Sequence, residues 1–88
     1  NIGLNDESVN GLSEVSGNPR FAWDSYRRLI QMYGKTVLEI DGSLFAEALA
    51  DAELRSGVQS DVEIPAEHLQ NLVEKYKQIY AQHGYEFP

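Results

Sequence analysis

At 88 residues and 9.9 kDa the chain holds one small domain or a piece of a larger one, and two separate hydrophobic cores do not fit in that length. Fourteen acidic residues against seven basic ones leave a net charge of -7, a field that repels phosphate backbones and anionic lipid surfaces and so disfavours nucleic acid and membrane as partners. Without a cysteine there is no disulfide framework, thiolate metal site or cysteine nucleophile, and no run approaches the roughly 20 apolar residues of a membrane span.

The opening residues, Asn1-Ile2-Gly3-Leu4-Asn5-Asp6-Glu7, lack the basic and apolar regions of a signal peptide. The absence of an initial methionine points to a longer polypeptide cut at this place. Asn5 is then the expected N-cap of a first helix, with Asp6 and Glu7 putting negative charge where the helix dipole favours it. Val9, Leu12 and Val15 are its expected apolar face, and Gly17 its stop.

Asn18-Pro19 opens a second helix, a capping side chain followed by a proline whose missing N–H has no partner to lose at that position. Ala22, Tyr26, Leu29, Ile30, Tyr33 and Val37 recur at spacings of three and four, which predicts one apolar stripe of about four turns. Gly34 interrupts it at a cost of about 1 kcal/mol relative to alanine, which points to a bend or a close helix crossing. Trp23 lies off this stripe and marks a surface covered by something else.

A third helix follows Asp41-Gly42, with Asp41 as cap, Leu44, Phe45, Ala48, Leu49 and Ala52 as the buried face, and Gly57 as its end. The span from Val58 to Ile64 is polar and unperiodic and reads as a surface connection. Pro65 is the expected first residue of a fourth helix, whose stripe is Leu69, Leu72, Val73, Tyr76, Ile79 and Tyr80, closed by Gly84 and Pro88. Ile64 stands where a capping side chain belongs, so this start is the least satisfied. The fold class is all-α: a small bundle of about four amphipathic helices over residues 1–88, with short connections that imply antiparallel neighbours.

The run Gly17-Asn18-Pro19-Arg20-Phe21-Ala22-Trp23-Asp24-Ser25-Tyr26-Arg27-Arg28-Leu29-Ile30-Gln31-Met32-Tyr33-Gly34 concentrates aromatics and arginines beyond what a surface helix needs. With Gly3-Leu4-Asn5-Asp6, Val9 and Gly11-Leu12 ahead of it, it resembles the N-terminal nucleotide-binding region of the pyruvate, phosphate dikinase family. The likeness continues more loosely through Asp41-Gly42, Leu44-Phe45, the fourth helix and Glu86-Phe87-Pro88. Leu29 stands where the family has phenylalanine and Glu39 where it has glycine; both read as packing variation.

The resemblance implies a helical subdomain excised from a larger α/β multidomain enzyme. There, an ATP-grasp region phosphorylates a carrier histidine on a swivelling domain, and a third domain interconverts pyruvate and phosphoenolpyruvate. It also implies ATP and magnesium as cofactors of the parent, none within this fragment. The implied partners are the parent's remaining domains, in a cytoplasmic homo-oligomer. Neither a phosphate loop nor a catalytic residue nor a metal ligand is expected in this chain.

Arg20, Arg27 and Arg28 suit phosphate recognition at the edge of a nucleotide cleft, with Arg20 the candidate for cofactor contact because it lies near a helix start. The competing reading is ion pairing with Asp24, at helical spacing from all three. Together with Trp23 these arginines form the candidate interface with the rest of the parent. His68 and His83 lack a second histidine at metal-ligand spacing and read as solvated, with His83 placed to interact with a helix C-terminus. Glu7, Glu14, Glu47, Asp51 and Glu53 read as solvated helix faces rather than acid/base or metal groups. A different class of function, a free-standing acidic helical module that binds another protein through an apolar stripe, also satisfies length, charge and patterning.

Overall fold

The computed structural model describes residues 6–86; of Asp6 and Asp61 it describes the backbone only. Helix α1 spans Asp6–Ser16, α2 Pro19–Thr36, α3 Gly42–Ser56 and α4 Ala66–Gln82, with a single 3-10 turn at Asp61–Glu63. No strand occurs among the described residues, and the bundle is all-α. The expected cap at Asn5 and the closing Pro88 lie outside the described residues.

Three of the expected punctuation points act locally as their chemistry dictates. Asn18 accepts a hydrogen bond from Phe21 N at 3.0 Å with Pro19 just inside the helix. Asp41 accepts from Ser43 N at 3.0 Å, and those bonds from Ser43 hold its carboxyl below the ordinary value. Gly57 takes φ +75 and ends α3 by donating to Glu53 and Leu54 carbonyls. The start of α4 differs by one residue. Pro65 adopts ψ 156 and sits in the cap position, without a side-chain cap bond, so the helix begins at Ala66.

Helix α2 packs chiefly on α4 and α1, while α3 packs on α4. Consecutive helices α2 and α3 meet only lightly, so α4, last in sequence, is the element between them. All six residues of its expected stripe are buried, with Leu69, Val73, Tyr76 and Tyr80 fully so. They meet Ala22, Tyr26 and Ile30 of α2 and Phe45 of α3 in one core.

Three sequence expectations are corrected. Val15 is 89 % exposed rather than on the buried face of α1, because six residues beyond Val9 falls well short of two full turns and points away from it. Val37 lies just beyond the last turn of α2 and is exposed. Ile64, assigned to a surface connection, is fully buried.

Gly34 supplies the close crossing. A Cβ built there would lie 2.7 Å from Phe45 Cζ and 2.9 Å from Tyr80 Cε1. These rings are themselves fully buried and fixed edge-on, Phe45 against Tyr76 at 5.0 Å and against Tyr80 at 6.3 Å between centroids. One turn earlier, Tyr80 donates its hydroxyl to Ile30 O at 2.6 Å. Burial, with Tyr33 adding to it, pushes the Tyr80 phenol up to about 12.

The departure at Glu39 is one of backbone, not of packing. Glu39 has φ +57, the only described non-glycine residue in the left-handed region, at a cost of roughly 1–2 kcal/mol. Ile40 N donates to Gly34 O at 2.9 Å and the Ile40 side chain is buried, which holds the bend in place.

Two measurements test this account. Gly34→Ala should destabilise the chain by about 1 kcal/mol or more, the overpacking cost exceeding the gain in helix propensity. Gly11→Ala, with nothing within 4 Å of the added carbon, should instead stabilise by about 0.5–1 kcal/mol in the same urea titration. For Tyr80, a folded-state pKa above the unfolded value means that the phenol contributes fully below about pH 10 and that its contribution is lost as pH rises towards about 12. Tyr80→Phe should cost about 1 kcal/mol at pH 7. In paired denaturation curves its deficit should shrink above pH 10.

Candidate functional site

The capped start of α2 fixes the phase of the helix and with it the placing of the four candidate residues. Trp23 turns inward: it is 8 % exposed, with its ring 5.9 Å from that of Tyr26. The expectation of an outward tryptophan is therefore corrected. Trp23 precedes Ile30 by seven residues, close to two full turns, so the two share a side of the helix.

Asp24 and Arg27 are buried beside it. Asp24 Oδ1 accepts from Arg27 Nη2 at 2.6 Å, and its Oδ2 lies 3.0 Å from Arg28 Nε. Arg27 Nη1 donates to Gln31 Oε1 at 3.2 Å, which also accepts from Tyr76 O–H at 3.0 Å. The Tyr76 hydroxyl lies 3.4 Å from Phe45 O as well. One polar chain therefore runs from α2 to α4 and to the backbone of α3. A guanidinium this deeply placed needs such partners, because removing one side of a buried pair costs about 3–5 kcal/mol.

Arg20 reaches beyond its own helix. Its Nε donates to Ile64 O at 2.9 Å, across 44 positions of sequence. This tie draws the α3–α4 connection over the start of α2 and accompanies the full burial of Ile64. Of the four candidates only Arg28 stands on the surface, its side chain 61 % exposed. Arg27, Arg28, Gln31, Met32, Lys35 and Thr36 line a shallow cleft of about 260 Å³ along this flank. The apolar members of that surface, Phe21 and Met32, escape a search for stripes because they fall opposite the main one. The signal that finds them is the three-turn interval between them.

A second cleft, of about 140 Å³, lies between α3 and α4 and includes His68, Asp51, Arg55 and Lys75. Asp51 is paired with Arg55 at 2.7 Å. His83 is exposed at the end of α4, its Nδ1 2.8 Å from Ile79 O. Glu7, Glu14 and Glu47 are exposed and Glu53 is half-buried. No group of three or more acidic or histidine side chains that could hold a metal ion occurs among the described residues. None of the described helices is long and apolar enough to cross a membrane. The arrangement around α2 thus ties helices together and presents a cationic flank.

No family model matches the chain. Among curated proteins it is 46% identical over 90 residues to the pyruvate, phosphate dikinase of Clostridium symbiosum, covering 100% of the chain and 10% of that protein. It is 48% identical over 89 residues to that of Giardia intestinalis, covering 100% of the chain and 10% of the relative. With the chloroplastic pyruvate, phosphate dikinase of Flaveria trinervia the identity is 47% over 89 residues, 100% of the chain and 9% of the relative. The chain spans about a tenth of the length of these relatives.

The inward position of Trp23 sets its energetic expectation. Trp23→Ala should destabilise the chain by about 3–5 kcal/mol, the range for a large core side chain cut to alanine. Thermal or urea unfolding checks this, and a loss below about 0.5 kcal/mol would return Trp23 to the surface.

Proposed function

We propose that this chain, which belongs to the pyruvate, phosphate dikinase family, serves as a helical subdomain of the nucleotide-binding region of such an enzyme. In this reading it braces the ATP-binding lobe while the phosphate-binding loop, the magnesium ligands and the carrier histidine are supplied by the rest of the polypeptide. The parent would transfer a phosphoryl group from ATP to that histidine and interconvert pyruvate and phosphoenolpyruvate. Its remaining domains would be the partners of this bundle, within a homo-oligomer in the cytoplasm or, as in relatives named chloroplastic, in a plastid.

The observation that carries the proposal is the match at 46–48% identity over the full chain to one tenth of these dikinases. The disposition of charge supports it. Arg27 bonds Asp24 and Gln31, and Arg20 the Ile64 carbonyl, so two of the three arginines that suit phosphate have structural partners within the bundle. A free-standing acidic interaction module is not favoured by a match of this kind.

A chimera tests the reading. Residues 1–88 exchanged for the matching segment of the Clostridium symbiosum dikinase should preserve turnover within about tenfold, a change of about 1.4 kcal/mol in barrier. The separate 88-residue chain should give no saturable heat when titrated with magnesium and ATP. A folded but inactive chimera, or micromolar ATP binding by the chain alone, would defeat the proposal.

A further inference from the structure

Helix α2 has a second face. Phe21, Ser25, Arg28, Met32 and Lys35 follow one another at intervals of four, three, four and three, and so line up on one side over nearly four turns. Ala22, Trp23, Tyr26 and Ile30 occupy the other side and are buried in the core. Phe21 is 51 % exposed and Met32 59 %, each separated from the next apolar position on its side by charged or polar residues. Three of the chain's seven cations, Arg27, Arg28 and Lys35, line the cleft along this flank, which includes no acidic residue. Asp24 at its edge is shared between the two arginines. Lys35 makes no ion pair among the described residues, and its alkyl stem crosses Gly42 so closely that a Cβ there would lie 2.9 Å from Lys35 Cε. The stem thereby lies against the start of α3.

We infer that this face, Phe21, Arg28, Met32 and Lys35, is the docking surface for an acidic, partly apolar segment of the same polypeptide, from the nine-tenths of the parent that lies outside residues 1–88. The inference rests on the subdomain reading and names the surface through which that subdomain is held. Two observations select the occupant. The flank is cationic on a chain whose net charge is -7, so a carboxylate-bearing surface complements it, whereas a second copy docking through the same face would set Arg28 and Lys35 against their own equivalents. The relatives are about ten times the matched length, so such a segment is available within one molecule of that size. Methionine and arginine are also the kinds of residue enriched at interfaces, where an unbranched thioether fits irregular partners and a guanidinium forks onto a carboxylate.

Zero-length carbodiimide coupling of the full-length parent, followed by peptide mass spectrometry, reads the contact directly. The expected result is an amide bridge between Lys35 and an aspartate or glutamate beyond residues 1–88 of the same molecule. Lys35→Gln should lose that bridge. Met32→Glu should expose the segment to limited proteolysis without loss of helix content, since Met32 lies outside the core. A bridge to a second copy in a mixed-isotope sample would overturn the inference. So would bridges confined to residues 1–88, or protection of Lys35 from amine labelling that appears only when inorganic phosphate is added. An active chimera that yields no bridge from Lys35 would overturn the docking surface while leaving the subdomain reading standing.

Discussion

Helices α2, α3 and α4 meet around the missing side chain at Gly34, and the remainder of the packing follows from that close approach. Phe45 and Tyr80 fill the space a Cβ would occupy, and the edge-on contacts of Phe45 with Tyr76 and Tyr80 knit α3 to α4. The proximity also lets Tyr80 reach the carbonyl of Ile30 at 2.6 Å, a hydrogen bond that a wider crossing would not close. A small bundle buries a limited share of its surface. Drawing two aromatic rings against bare backbone is one way to raise that share without lengthening the helices.

Polar chemistry in the bundle is organised around the same crossing rather than apart from it. Asp24, Arg27, Gln31 and Tyr76 form a continuous series across α2 and α4, and Tyr76 adds the edge of its ring to Phe45. Each member constrains its neighbour: the carboxylate orients the guanidinium, the guanidinium orients the amide, and the amide receives the phenol. Such a series favours one helix register, since a shift of a single turn would part the Tyr76 hydroxyl from the Gln31 amide. Two of the three arginines that look most like ligand-binding groups in the sequence thus have partners within the bundle. The surface itself presents Arg28, Lys35 and the two apolar residues between which Arg28 stands.

How far the sequence discloses this depends on the range of the force involved. Asn18, Asp41 and Gly57 are legible because a cap or a left-handed stop is settled within a few residues. The stripe of α4 is legible because every member faces the core. Gly34 is legible as an anomaly, although only the structure names Phe45 and Tyr80 as its causes. Trp23 misleads because a stripe traced through Ala22, Tyr26 and Tyr33 is narrower than the side the helix actually buries. Ile64 is hidden from local reading altogether: its burial accompanies a bond to Arg20 that spans 44 residues, and no pattern of neighbours announces it. The position of α4 between α2 and α3 is a long-range outcome of the same sort. The likeness to the dikinases is legible in the sequence because a long, ordered run of unusual residues carries more information than periodicity does.

Glu39 shows what a well-anchored bend tolerates. The backbone there is left-handed although the residue has a full side chain, and the flanking Ile40 and the Asp41 cap keep their places. The shape of the α2–α3 turn is therefore held from its two ends, which leaves the residue at its apex to carry the cost of a left-handed backbone. Glycine at that position would favour ease of folding, while glutamate adds a negative charge to the surface. Position 39 thus exchanges conformational ease for surface charge while Ile40 and Asp41 hold the two ends of the turn.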